Sequence, residues 1–247
     1  MMKTRILAAA IIVSAALSVM AGPQVEALSG SIVSAADSLK AGTTAVDTAN
    51  VDDGRYTRLT DDDYRKVCDE LGVDIATMKA VVEIEAGRTH QGFVSPGKPL
   101  VNFDLTMFRR LLRQEGVKSS KYSAYTCFKP VNSRKYGSYG KAQWARLESA
   151  RTINRDVANR SAFWGMFQIG GFNWKSCGCA TLDEFVERMS ESEAEQLELF
   201  AQFCVNRDLV KYLKKRDWNN FAYHYNGPSY KKRGYHHRLH SAYSKHK

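Results

Sequence analysis

The chain has 247 residues, with 36 Lys and Arg against 26 Asp and Glu for a formal charge of +10, and 44% of its residues are apolar and 11% aromatic. That balance excludes a disordered chain, 17 Gly and 5 Pro exclude a collagen-like or proline-rich fibre, and 5 Cys exclude a disulfide-dense miniprotein. The positive excess fits an acidic partner, whether nucleic acid, anionic lipid or an anionic cell-wall polymer.

Residues 1–21 read as a signal peptide. Lys3 and Arg5 precede an apolar run over 6–16, and Val19-Met20-Ala21 suits cleavage after Ala21. The run is short against the roughly 20 residues of a membrane span, so an uncleaved anchor is the lesser alternative. The expected location is secreted or periplasmic, with no stable membrane insertion after signal cleavage, and export argues against nucleic acid as the partner. Residues 22–54 are rich in Ser, Ala, Thr, Asp and Val without one aromatic, which describes a flexible linker. Aromatics begin at Tyr56, and residues 55–247 form the expected single folded domain. Cys68, Cys127, Cys177, Cys179 and Cys204 are compatible with disulfides after export, the odd count leaving at least one unpaired.

The fold reads as mainly α. Thr60, followed by Asp61, Asp62 and Asp63, opens a first helix that ends before Gly72. A second runs from Asp74 to Gly87, and further helices are predicted over 104–115, 141–153 and 155–169. Thr181 and Glu184 form a capping-box pattern that opens another. Residues 191–206, 208–214, 217–225 and 230–243 complete the set, while 116–140 suggest a long loop or a small hairpin. Strands are few.

The second helix carries the most informative residue. On a wheel of about 100° per residue, Ile75, Met78, Val81, Val82 and Ile84 share one half with Glu85 near its centre. Lys79 and Glu83 lie opposite, at the spacing of an i,i+4 charge pair. A carboxylate on an apolar face, in the last turn of a helix, is disfavoured both by desolvation and by the negative helix end. A raised pKa suits a general acid. A core Glu paired with a buried Arg or Lys fits the wheel equally well.

Three motifs in order resemble a known family. Glu85-Ala86-Gly87 resembles the Glu-Ser-Gly motif of lysozyme-like muramidases and lytic transglycosylases. Trp164-Gly165-Met166-Phe167-Gln168-Ile169 resembles their Gly-Leu-Met-Gln-Ile helix, and Tyr223-His224-Tyr225-Asn226-Gly227-Pro228 resembles their Ala-Tyr-Asn-x-Gly motif. The chain is most similar to the N-acetylmuramidase domain of phage endolysins and related secreted proteins, over about residues 81–243, including Ala142-Gln143-Trp144-Ala145-Arg146-Leu147. The resemblance implies a single lysozyme-like domain acting on peptidoglycan glycan strands at the bond between N-acetylmuramic acid and N-acetylglucosamine, with Glu85 as catalytic acid. Asn102-Phe103-Asp104 stands where the family usually has Leu-Phe-Glu, and no fused wall-binding module is visible.

Asp104 is the candidate second carboxylate for an oxocarbenium-like transition state, and it equally fits an N-cap of the following helix. Gln168 can hydrogen-bond sugar hydroxyl or N-acetyl groups, Tyr225 offers a plane and a hydroxyl, Asn226 with Gly227 makes a turn by the cleft, and Trp164 can line it. The bland alternatives are a surface Gln, a core Tyr at a helix cap and a core Trp. Without a second carboxylate, attack by the muramyl 6-hydroxyl would make the enzyme a lytic transglycosylase. A non-catalytic wall-binding module is the reading from another class. No cofactor is expected, and no metal either: Cys177 and Cys179 lack the Cys-x-x-Cys spacing, and His236, His237 and His240 lack a nearby carboxylate ligand. The acid-free stretch 231–247, with six Lys or Arg, suggests a face for anionic wall polymers.

Overall fold

A computed structural model describes residues 58–86, 92–129 and 140–247; the predicted signal peptide (1–21) and the whole linker (22–54) lie outside the described residues, as does Gly87. The helices begin where capping side chains permit. Thr60 accepts the Asp63 N–H while the Asp63 carboxylate accepts the Thr60 N–H, opening α1 (Asp61–Leu71). Asp74 accepts the Thr77 N–H at 2.7 Å and opens α2 (Ile75–Glu85). The chain then forms β1 (Phe93–Ser95), β2 (Lys98–Pro99) and β3 (Val101–Phe103), followed by α3 (Leu105–Gln114), α4 (Lys141–Arg151) and α5 (Arg155–Arg160). After β4 (Ala162–Trp164) and β5 (Ile169–Gly170), a 3-10 segment leads into α6 (Leu182–Glu191), α7 (Glu193–Asn206), α8 (Val210–Lys215), α9 (Trp218–Asn226) and α10 (Tyr235–His246). The fold is mainly helical, as the sequence predicts.

One predicted helix is mostly something else. The run 155–169 is helical only to Arg160, and its second half is the β4–β5 hairpin. β4 pairs with β3, setting Trp164 opposite Val101 and Ala162 opposite Phe103, and Trp164 also faces Ile169 of β5. Gly165 turns the hairpin at φ +69°, a backbone region open to glycine. A Cβ at Gly171 would stand 2.1 Å from the Asn159 carbonyl oxygen, so the returning chain needs glycine there. A small hairpin forms at β1–β2. Of the stretch 116–140, expected as a long loop or a small hairpin, the described part holds 3-10 turns at Ser119–Tyr122 and Thr126–Phe128, and 130–139 lie outside the described residues. A 3-10 turn at Pro228–Tyr230 delays α10 to Tyr235.

The Ala142–Leu147 motif does structural work. Gln143 accepts the Phe103 N–H at 3.2 Å, the Trp144 indole donates to the Pro99 carbonyl at 2.8 Å, and Arg146 donates to the Cys127 carbonyl at 3.2 Å. α4 thereby fixes β2 and β3. Along α2, the predicted Lys79–Glu83 pair is replaced by ties to other helices. Lys79 meets Asp61 of α1 at 2.7 Å, and Glu83 meets Lys245 and His246 of α10 at 3.0 and 2.8 Å. α10 packs along α2.

All five cysteines are free and buried, so none of the disulfides with which the sequence is compatible is formed. Burial raises the pKa of every one of the thiols, so they stand as small apolar core groups rather than reactive ones.

Candidate active site

Glu85 is the last residue of α2 and only 3% exposed. Its Oε1 accepts a hydrogen bond from Asn226 Nδ2 at 3.2 Å. Burial pushes its carboxyl pKa up to about 7, while the Asn226 bond and the Arg238 charge pull in the other direction. The core-ion-pair alternative is not what forms, since no salt bridge joins Glu85 to a Lys or Arg among the described residues.

Asn226 and its neighbour Tyr225 bring the three sequence motifs together at the end of α9. Asn226 reaches α2, and the Tyr225 hydroxyl donates to the Phe167 carbonyl in the hairpin turn at 2.8 Å. The Tyr225 ring stacks on Phe221 and meets Phe200 and Phe203 edge-on. Burial raises its pKa well above the usual phenol, and the Glu85 charge adds to that, so it stays protonated. Tyr225 therefore fixes the turn against α9 while half-buried. The other Asn226 amide atom, Oδ1, is buried without a partner.

Gln168 sits in that turn at φ +49°, an uncommon conformation for a non-glycine residue. Its Nε2 donates to the Gly165 carbonyl at 2.8 Å, and its Oε1 is buried without a partner. An acceptor left open beside the Phe167–Tyr225 contact is suited to a ligand N–H or O–H. Its position on a turn, rather than on a helix surface, is what frees it.

Trp164 is displaced from the expected role. It is 0% exposed, its indole donates to the Asn159 carbonyl at 3.1 Å, and it meets Trp144 and Phe185 edge-on. Pairing in β4 points it into the core, so it offers no surface to a glycan. Asp104 caps α3: its Oδ1 accepts the Met107 N–H at 2.9 Å, and its own N–H donates to the Ser161 carbonyl at 2.9 Å. It has no hydrogen bond to Glu85 or Asn226 among the described residues. Asp104→Asn keeps the capping oxygen and should move stability by a few tenths of a kcal/mol, whereas Asp104→Ala should cost about 1 kcal/mol. Wall-lysis rates beside melting temperatures check the cap against a catalytic role. Full activity in the Asn variant removes Asp104 from the reaction, and a loss of about 10²-fold with unchanged melting establishes it there.

Three residues escaped the sequence reading. Gln196 of α7 is fully buried, accepts the Met166 N–H at 2.8 Å, and donates to the Gly92 and Met189 carbonyls. Glu193, one turn earlier, accepts the Gly92 N–H at 2.7 Å. Together they pin the hairpin turn and Gly92, the residue before β1, to α7. Polar residues three apart on a helix with a strong apolar face were the available signal. Arg238 on α10 is the other omission, recognisable only once α10 lies along α2.

The sequence profile described as N-acetylmuramidase matches residues 74–247. The crystal structure of Burkholderia AP3 phage endolysin is similar, with a TM-score of 0.65 and 36% identity over 76% of this chain and 70% of that one. No functionally curated protein matches the chain.

Proposed function

The chain belongs to the N-acetylmuramidase family and is a glycoside hydrolase of peptidoglycan, and from that premise we propose that it cuts the β-1,4 bond from N-acetylmuramic acid to N-acetylglucosamine with Glu85 as general acid. The observation that carries the proposal is a carboxyl group buried at a helix end, held by Asn226 and protonated up to about pH 7. A protonated Glu85 delivers its proton to the glycosidic oxygen as the bond to C1 breaks. Gln168 Oε1 takes a hydrogen bond from an N-acetyl or hydroxyl group, and the accessible part of Tyr225 lies against the sugar. Asp104 is the candidate for stabilising the oxocarbenium-like centre or activating water.

The capping bond on Asp104 favours a second reading. If that carboxylate stays on α3, the muramyl 6-hydroxyl attacks C1 and the enzyme is a lytic transglycosylase. Borohydride reduction of the products from purified peptidoglycan, followed by mass spectrometry, decides. Reduced N-acetylmuramic acid ends support hydrolysis, 1,6-anhydromuramyl ends support the transglycosylase, and an undigested wall that nevertheless retains the protein supports a binding module. Export through residues 1–21, to the periplasm or outside, delivers the enzyme to its substrate; a mature N-terminus at Gly22 tests that.

Gln168→Gly removes the side chain and suits the positive φ, so the turn should survive. KM for a soluble glycan should rise up to about tenfold, the scale of one hydrogen bond, with melting temperature unchanged. An unchanged KM removes Gln168 from the substrate.

Asn226→Ala removes a bond that favours the ionised carboxylate, so the Glu85 pKa should rise further. The alkaline limb of the pH–rate profile should move to higher pH. A limb moving to lower pH contradicts the assignment.

A further inference from the structure

The charge of this protein is concentrated at one end. Residues 207–247 hold eleven Lys or Arg against two acids, a net +9, and five of the six histidines. Residues 1–206 hold 25 against 24. Both acids of the basic end are engaged locally, Asp208 with Lys211 and Asp217 in capping α9.

A continuous run of rings crosses the same end. Tyr212 of α8 stacks on His224 of α9 with centroids 5.2 Å apart and planes at 6°. His224 meets Tyr223 edge-on, Tyr223 meets Tyr230, Tyr230 meets His236, and His236 lies 3.9 Å from His237. Lys211 sits over Tyr212 and Lys231 over Tyr230. Tyr223 is 48% exposed, and His224, His237, Lys231 and Lys232 are exposed as well. Neither Lys231 nor Lys232 pairs with an acid among the described residues. Tyr230 itself is buried, so the rings presented, edged by cations, are Tyr223, His224 and His237, with Tyr212 and His236 half-buried beside them. Tyr223 and His224 lie on α9, the helix that also carries Tyr225 and Asn226.

We propose that this surface binds the phosphodiester backbone of an anionic wall polymer carried on the peptidoglycan being cut. Repeating phosphates suit the spaced cations, with counterion release as the main driving force, and polyol or sugar units suit the Tyr and His faces. A bilayer is the poorer fit. The rings are Tyr and His, and the other large apolar residues exposed among the described ones are Tyr125 and Val205, on different elements. Nothing aliphatic is available here to insert between lipids. Closeness to the catalytic end follows from α10, which packs along α2, the helix that ends at Glu85. The proposal rests on the wall-hydrolase reading only for where the protein works.

The test uses the full chain as Glu85→Gln, so that wall is bound and not digested. It is sedimented with walls bearing poly(glycerol phosphate) and with the same walls stripped of phosphodiesters by hydrofluoric acid. Binding should weaken about tenfold or more on stripping, fall with salt, and be competed by soluble poly(glycerol phosphate). A Lys231→Glu, Lys232→Glu, Tyr223→Ser variant in that background should lose a similar factor. With Glu85 intact, the triple variant should cleave a soluble glycan oligomer normally, which also shows that it folds. Equal binding to stripped walls, binding to phosphatidylglycerol vesicles without binding to the polymer, or competition by duplex DNA as strong as by the polymer would each overturn the proposal. Failure of the unmutated chain to cut the soluble glycan would instead count against the muramidase reading and leave the surface standing.

Discussion

Glu85→Gln should lower glycan hydrolysis by about 10²-fold or more, the scale of losing a general acid, while the domain stays folded. The amide keeps the shape of the carboxyl group and can still meet Asn226, but it has no proton to give. A stability signature accompanies this. The folded pKa of Glu85, about 7, is raised above the ordinary 4.5, so burial of the neutral form is tolerated below that ordinary value, and stability is lost as pH rises through about 7. The glutamine variant escapes this ionisation and should gain on the parent between about pH 4.5 and pH 7, the gain levelling off above that, as read by melting temperature across pH. Near-parental turnover would remove Glu85 from the chemistry, and parallel stability curves would mean that it is not buried as a neutral acid. Glu83→Gln is the control: Glu83 pairs with Lys245 and His246 on the outer side of α2, so its loss should leave turnover in place.

Trp164→Ala should destabilise the domain by about 3–5 kcal/mol, the range for deleting a large buried aromatic. The indole fills the space between Trp144 and Phe185, and its N–H satisfies the Asn159 carbonyl. Its loss leaves both a cavity and an unsatisfied backbone oxygen. A subsite tryptophan would behave in the opposite way, with melting unchanged and glycan affinity reduced. Denaturant unfolding beside a binding measurement separates the two. A loss below about 1 kcal/mol would contradict the core placement.

What could be read in the chain was local. Thr60, Asp74, Asp104 and Thr181 each mark a helix start because a cap needs only its next three residues. Glu85 stood out because a helical wheel shows a charged group on an apolar face without any knowledge of its partner. The hairpin at Ala162–Gly170 differs from the expected helix because residues 162–169 are almost continuously apolar, and a short apolar run does not distinguish a buried strand from a helix by periodicity. The deciding partner, Val101–Phe103, lies some sixty residues away. That error carried Trp164 onto the cleft wall. The bond from Asn226 to Glu85 is a contact across 141 residues that no local pattern encodes. Gln196 and Arg238 were missed for the same reason, since each acts on residues brought near by tertiary packing.

The pH dependence of kcat for the unmodified protein on a soluble peptidoglycan glycan tests most directly whether Glu85 works as a protonated acid. With the carboxyl group titrating at about 7, the rate should hold below that value and fall about tenfold per pH unit above it, as the proton donor is lost. A rate that instead climbs as pH rises through 7 would mean that the ionised group is the active one, and would contradict the assignment of Glu85 as the general acid.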